Sequence, residues 1–149
     1  MKVENITSYV IKNLTIWLWG GFIYYLIEMV WRGHSHPSMF IIGGICLLVV
    51  ARMNNFFPWE MALALQCVLG GIAITVIELV AGCVINLWLG WGVWDYSGLP
   101  FNILGQVSLF FIFAWTGLAL VCIYLDDYLR WKLYNEERPR YRWFSSEVD

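Results

Sequence analysis

Charge is what this chain has least of. Asp, Glu, Lys and Arg make up 13% of its 149 residues, about half the ~25% usual in soluble domains. With 9 basic against 11 acidic residues, neither sign is in excess, and nucleic acid is not an expected partner. Catalytic signatures are missing as well. There is no G-x-S-x-G, no H-E-x-x-H and no G-x-x-x-x-G-K-[ST]. A nucleophile elbow, a zincin site and P-loop nucleotide hydrolysis are therefore excluded as expectations. Cys46, Cys67, Cys83 and Cys122 show no C-x-x-C spacing. They read as small apolar packers, not as disulfides or metal ligands. His34 and His36 form an H-x-H pair with no third ligand nearby in sequence, so they read as a loop pair. No metal and no cofactor is expected.

Apolar residues are what is abundant. Hydrophobic types make up 60% and aromatics 18%, with mean hydropathy +0.65. A helix needs ~20 mostly apolar residues to cross ~30 Å of hydrocarbon. Four runs meet or approach this, at about 14–31, 38–52, 60–89 and 102–125. The expected fold is all-α: a polytopic membrane protein with one four-helix transmembrane domain. Residues 126–149 would form a cytoplasmic helical extension and tail. The first run is too long for a cleaved signal peptide, carries Glu28, and lacks a small-residue cleavage pattern.

Lysine and arginine set orientation. Lys2 and Lys12 lie at the start, Arg52 between the second and third runs, and Arg130, Lys132, Arg138, Arg140 and Arg142 after the fourth. Only Arg32 falls on the other side. Both termini are thus expected on the cytoplasmic face of the inner membrane, with the loops at 32–37 and 91–100 outside. Trp17, Trp19, Trp31, Trp59, Trp88, Trp91, Trp94 and Trp131 lie near span ends, where amphipathic rings anchor at the interface. Asn5-Ile6-Thr7 and Asn13-Leu14-Thr15 match the glycosylation pattern, but their expected cytoplasmic side removes its meaning.

The halves resemble each other weakly. Residues 25–30 read like 75–80, and residues 42–47 like 104–109. A duplicated helical hairpin, with a glutamate in each first helix, would carry a pseudo-two-fold axis along the membrane normal.

Glu28 and Glu78 carry most of the functional information. A charge in hydrocarbon costs at least ~2.5 kcal/mol, so such groups face the bundle interior or a wet cavity. Gly71, Thr75, Glu78, Gly82 and Asn86 share one helical face, and Glu28 stands four residues before Arg32, the favourable order for a helical ion pair. One reading is a polar site for a cation, a proton or a small cationic solute, with Glu28, Glu78, Arg32, Asn86, Asp95, Asn102 and Gln106 as candidates. The structural alternative satisfies each glutamate with a tyrosine, a tryptophan N–H, Arg32 or Asn86. The stretch 88–100, with its glycines, aromatics and Asp95, is either an aromatic-anchored turn or a substrate-facing loop. Pro100 would open the fourth helix, with Asp95 or Ser97 capping it. Further on, Asp126 pairs with Arg130 at i, i+4 and Asp127 reaches it at i, i+3.

Three blocks now bear on kinship: Trp31-Arg32-Gly33-His34-Ser35-His36, then Asn86-Leu87-Trp88-Leu89-Gly90-Trp91, then Val93-Trp94-Asp95-Tyr96-Ser97 followed by Leu99-Pro100-Phe101-Asn102-Ile103-Leu104-Gly105-Gln106. With these the chain resembles the ABC-transporter type IV (CmpB-like) family of small bacterial membrane proteins, over about residues 17–140. The resemblance implies a permease-like transport component. It brings no catalytic or ligand residues with it. The chain has neither an ATPase domain nor an E-A-A-x-x-x-G coupling motif. Besides the lipid bilayer, a homodimer or a partner membrane subunit is the expected company. The alternatives are a non-transporting scaffold or regulatory subunit and, without a nucleophile or metal set to support it, an intramembrane enzyme acting on lipid.

Overall fold

A computed structural model describes residues 6–58 and 61–144. Lys2, Asn5, Trp59, the run start at residue 60 and the tail beyond 144 lie outside the described residues. The protein is helical, with four helices long and apolar enough to cross a membrane. In order they are α1 (Ile6–Arg32), α2 (Pro37–Phe56), α3 (Leu63–Gly82), which continues as a π-helix over Cys83–Trp88, and α4 (Leu109–Tyr134). A two-stranded antiparallel hairpin, β1 (Asn102–Ile103) and β2 (Val107–Ser108), precedes α4. The chain divides into two compact units after Leu48.

In the first unit, α1 buries Lys12, Ile16, Gly20, Gly21, Tyr24 and Glu28. This 3–4-residue spacing marks a single helix face. Gly20 allows α2 to come close. A Cβ there would lie 2.5 Å from Leu47 Cβ and 2.8 Å from the Gly43 carbonyl oxygen, inside van der Waals contact. Small residues at such crossings let backbones approach where no hydrophobic effect drives association. Gly33, with φ 73°, ends α1, and Pro37 opens α2 at a position where a missing N–H costs nothing.

The second unit also buries one face of its first helix. α3 buries Leu63, Cys67, Gly70, Gly71, Ile74, Glu78 and Gly82. The buried Gly20, Gly21, Tyr24 and Glu28 of α1 have the same spacing as the buried Gly70, Gly71, Ile74 and Glu78 of α3. In α3 the glycine pair receives α4, with Ala119 against Gly70 and Thr116 against Gly71. The proposed match of 42–47 to 104–109 does not carry over in structure, because the first segment is helical and 104–108 forms turn and hairpin.

The fourth span begins later than its hydropathy predicts. Residues 102–108 are not helical, and α4 starts at Leu109. The reason lies in the backbone. Phe101, Leu104 and Gly105 all have positive φ, at 53°, 54° and 68°, and an α-helix accommodates none of them. Leu104 and Gly105 are the central residues of a turn closed by Gln106 N–H donating to the Ile103 carbonyl at 2.9 Å, within the three-residue loop between the paired Ile103 and Val107. Pro100 therefore lies in a turn ahead of β1 and does not open α4. The cap is Ser108, whose Oγ accepts from Phe110 N–H at 3.2 Å. Asn135, in the left-handed conformation at φ 51°, ends α4.

Candidate functional site

Glu78 lies on the buried face of α3 and is 3% exposed. Two aromatic donors hold it. Trp115 Nε1–H, from α4, donates to Oε2 at 2.6 Å. The Tyr96 hydroxyl, from the loop after the π-helix, lies 3.2 Å from Oε1. Phe111 stacks on Tyr96 at 4.4 Å between ring centroids and on Trp115 at 5.7 Å. The carboxylate thus sits against a three-ring column. Trp115 and Phe111 are one helical turn apart on α4, which places both rings on one face.

Above Glu78 in sequence, the π-helical turn carries Asn86. π-turns interrupt the regular i→i+4 ladder and occur often at functional positions. Asn86 Nδ2 donates to the Trp94 carbonyl at 3.0 Å and to Gln106 Oε1 at 2.8 Å, while its Oδ1 accepts from Val93 N–H at 2.7 Å. Gln106, 3% exposed, donates to the Leu104 carbonyl at 3.0 Å. Its own carbonyl accepts from Trp94 Nε1–H at 3.0 Å. Gly82 leaves room for this amide, since a Cβ there would lie 2.6 Å from Gln106 Oε1. Trp94 is therefore a buried crosslink, not an interface anchor.

Asn102 and Asp95 complete the loop and do not reach the carboxylate. Asn102 Nδ2 donates to the Leu99 carbonyl at 2.8 Å, and its Oδ1 accepts from Gly105 N–H at 3.0 Å. Asp95 accepts from Ser97 N–H at 2.8 Å and from Ser97 Oγ at 3.0 Å. These two bonds, the backbone one first, hold the exposed Asp95 carboxyl below its ordinary range. Tyr96, between them, is fixed by its own N–H donating to the Gly105 carbonyl at 2.7 Å. The loop and hairpin are thus a hydrogen-bonded plug that aims one hydroxyl at Glu78.

Glu28, in the first unit, is handled differently. Arg32 Nη1 pairs with Oε1 at 3.0 Å and Ser35 Oγ donates to Oε2 at 2.7 Å. The histidines bond locally, His34 Nδ1 with the Arg32 carbonyl at 3.0 Å and His36 Nδ1 with Ser38 Oγ at 2.8 Å.

The candidates thus sort into four groups: Glu28 with Arg32; Glu78, held by Tyr96 and Trp115; Asn86 with Gln106; and Asp95 and Asn102, each within the loop. Tyr96 and Trp115 both touch Glu78; a tyrosine and a tryptophan N–H are the partner types of the structural alternative, but these two residues were not singled out from the sequence. Trp115 did carry a signal, because it is one of the tryptophans placed away from a span end. A second polar cluster also went unread as a site. Asp126, fully buried, pairs with Arg130 at 2.7 Å, as expected. Asp127 instead accepts from Asn54 Nδ2 and from the Tyr141 hydroxyl, each at 2.8 Å.

Among the described residues no group of three or more His, Cys, Asp or Glu is arranged to hold a metal ion. Comparison with curated proteins and with solved structures finds no match. The sequence profile of the family described as Putative ABC-transporter type IV matches residues 15–145, and the chain belongs to that family.

Proposed function

We propose that this protein is a permease-like membrane component of a transport system in which Glu78 takes up and releases a proton. The carrying observation is the pairing of a buried intramembrane carboxylate with two donors of different kind. The indole N–H of Trp115 only donates, so Oε2 stays an acceptor in either protonation state. The Tyr96 hydroxyl donates or accepts. It serves the carboxylate as donor and the neutral acid as acceptor. The exchangeable proton therefore belongs on Oε1, beside a rotatable hydroxyl that comes from the loop. An N–H aimed at Oε2 repels a metal cation, which favours the proton over a cationic cargo at this atom. Ionisable residues inside spans mark proton relays by default, and family membership supports transport.

Glu28, already neutralised by Arg32, is better suited to fixing the end of α1. Asn86, Gln106, Asn102 and Asp95 position the loop that carries Tyr96. The shared burial register of α1 and α3 supports a duplicated hairpin. The lysine and arginine count supports an inner-membrane placement with both termini inside.

The test is proton flux in liposomes holding the full chain and a trapped pH-sensitive dye, under a valinomycin-set potential, negative inside. The wild type is expected to acidify the lumen and Glu78→Gln to abolish this, with helical content unchanged by circular dichroism. Wild-type flux no greater than in empty vesicles, or equal flux in Glu78→Gln, overturns the reading. A variant that loses thermal stability without losing flux points to the scaffold alternative.

A further inference from the structure

The second polar cluster surrounds a cavity that the proton site does not use. Its volume is about 510 Å³, and Asn55, Gln66, Asp127, Arg130, Arg140 and Arg142 are among its lining residues. That is within the size range of small-ligand pockets. The C-terminal segment builds one wall by folding back. The Arg142 carbonyl accepts from Leu63 N–H at 2.8 Å and the Trp143 carbonyl from Ala64 N–H at 3.4 Å. The segment therefore caps the first turn of α3, whose N–H groups would otherwise lack acceptors. The Tyr141 hydroxyl bonds Asp127, and its ring meets Tyr124 edge-on at 4.6 Å.

The charges of this wall fall into committed and uncommitted sets. Asp126 and Glu136 both pair with Arg130, at 2.7 and 3.6 Å. Asp127 is held by Asn54 and Tyr141. Arg140 and Arg142 line the cavity and enter no ion pair among the described residues, against one uncommitted acid, Glu137. The cavity lies where α2 ends, α3 begins and α4 has ended. That is the depth at which spanning helices meet lipid headgroups.

We propose that this cavity binds a phosphate group, as a lipid headgroup or as free phosphate, through Arg140 and Arg142. Guanidinium forks pair bidentately with phosphate oxygens. Asn55, also on the lining, offers a neutral amide, while Gln66 Nε2 is held by the Met61 carbonyl at 3.0 Å. The folded-back segment sets both arginines on the cavity, so the site depends on backbone geometry as well as on charge.

The test uses the full chain in nanodiscs, in two arms. In phosphatidylcholine discs, inorganic phosphate is titrated by calorimetry. In discs containing phosphatidylglycerol, native mass spectrometry counts the lipids retained after the disc is stripped. Saturable binding in either arm is expected, and the arm that binds identifies the source. Arg140→Gln with Arg142→Gln should weaken it by about tenfold or more. Arg138→Gln, whose guanidinium packs over Trp131 at 5.5 Å, should change it less than about twofold. Should the double glutamine variant not fold, Arg140→Lys with Arg142→Lys keeps the charge but loses the fork, and intermediate affinity is expected. Binding in neither arm, equal affinity in these variants and the wild type, or an Arg138→Gln loss as large as the double variant's, overturns the proposal. Glu78→Gln should bind both probes like the wild type, which separates this site from the proton reading.

Discussion

Asp95 shows how a single exposed residue can fix a loop that serves a buried one. Its carboxylate accepts from both Ser97 N–H and Ser97 Oγ, and Tyr96 lies between the two residues. Bonds made to the charged form lower a carboxyl's pKa. A lowered folded-state value means that the contribution is present above the unfolded value, near 3.9, and is lost as pH falls through the lower folded value. The Ser97 amide resonance should therefore hold its position through the ordinary carboxylate range and shift only in stronger acid. An NMR titration in micelles checks this, and a midpoint at or above the unperturbed value would contradict it. Asp95→Asn should remove the step. The residue scale is also where the sequence was most and least informative. Glu78 stood out because a charge inside an apolar run is conspicuous. Its partners did not, because they lie 18 and 37 positions away in the chain and no local pattern links them.

At the scale of elements, helix approach is set by glycine faces, and two glycines in one unit test this. A Cβ on Gly71 would lie 2.5 Å from Thr116 Oγ1 and 2.8 Å from the Thr116 Cα and backbone nitrogen. The obstacle includes backbone, so α4 itself must shift. Gly71→Ala is expected to cost about 1–3 kcal/mol, as overpacking does, and to lower the melting temperature in detergent. Gly117, within α4, would bring its Cβ near nothing within 4 Å. Gly117→Ala should be neutral or stabilising, by up to about 1 kcal/mol, through helix propensity. Equal effects from the two would refute the close-packing account. The first three helices were legible because long apolar runs have few other uses. The start of the fourth was not. Residues 102–108 are apolar enough to pass for helix, but Leu104 and Gly105 take positive φ. Hydropathy carries no information about the sign of a dihedral. In sequence Asn102 and Gln106 join the glutamates in one polar site; in the structure Asn102 turns back onto loop backbone, while Gln106 bonds hairpin backbone and the Asn86 amide of the π-helix.

At the scale of the whole molecule, the open question is which membrane face each end meets, and the charge distribution makes a definite statement. If the four helices cross in turn, eight of the nine lysines and arginines fall toward the side of the termini and only Arg32 toward the other. Orientation follows such counts close to span ends, and four spans return the chain to its starting side. The phosphate cavity would then open toward the cytoplasm, while the Asp95 loop and Ser35 would face outward. Cysteine labelling in intact cells decides this. Cys46, Cys67 and Cys122 are buried and Cys83 half-buried, so replacing all four with alanine gives a quiet background. In it, His34→Cys, in the exposed link between α1 and α2, should react with a membrane-impermeant maleimide from outside. Glu137→Cys, exposed beyond α4, should react only after the membrane is opened. The reverse pattern would place the uncommitted arginines outside. Because the count of flanking charge is so lopsided, that result would mean the bundle inserts against its own charge bias, held by a partner subunit rather than by its sequence.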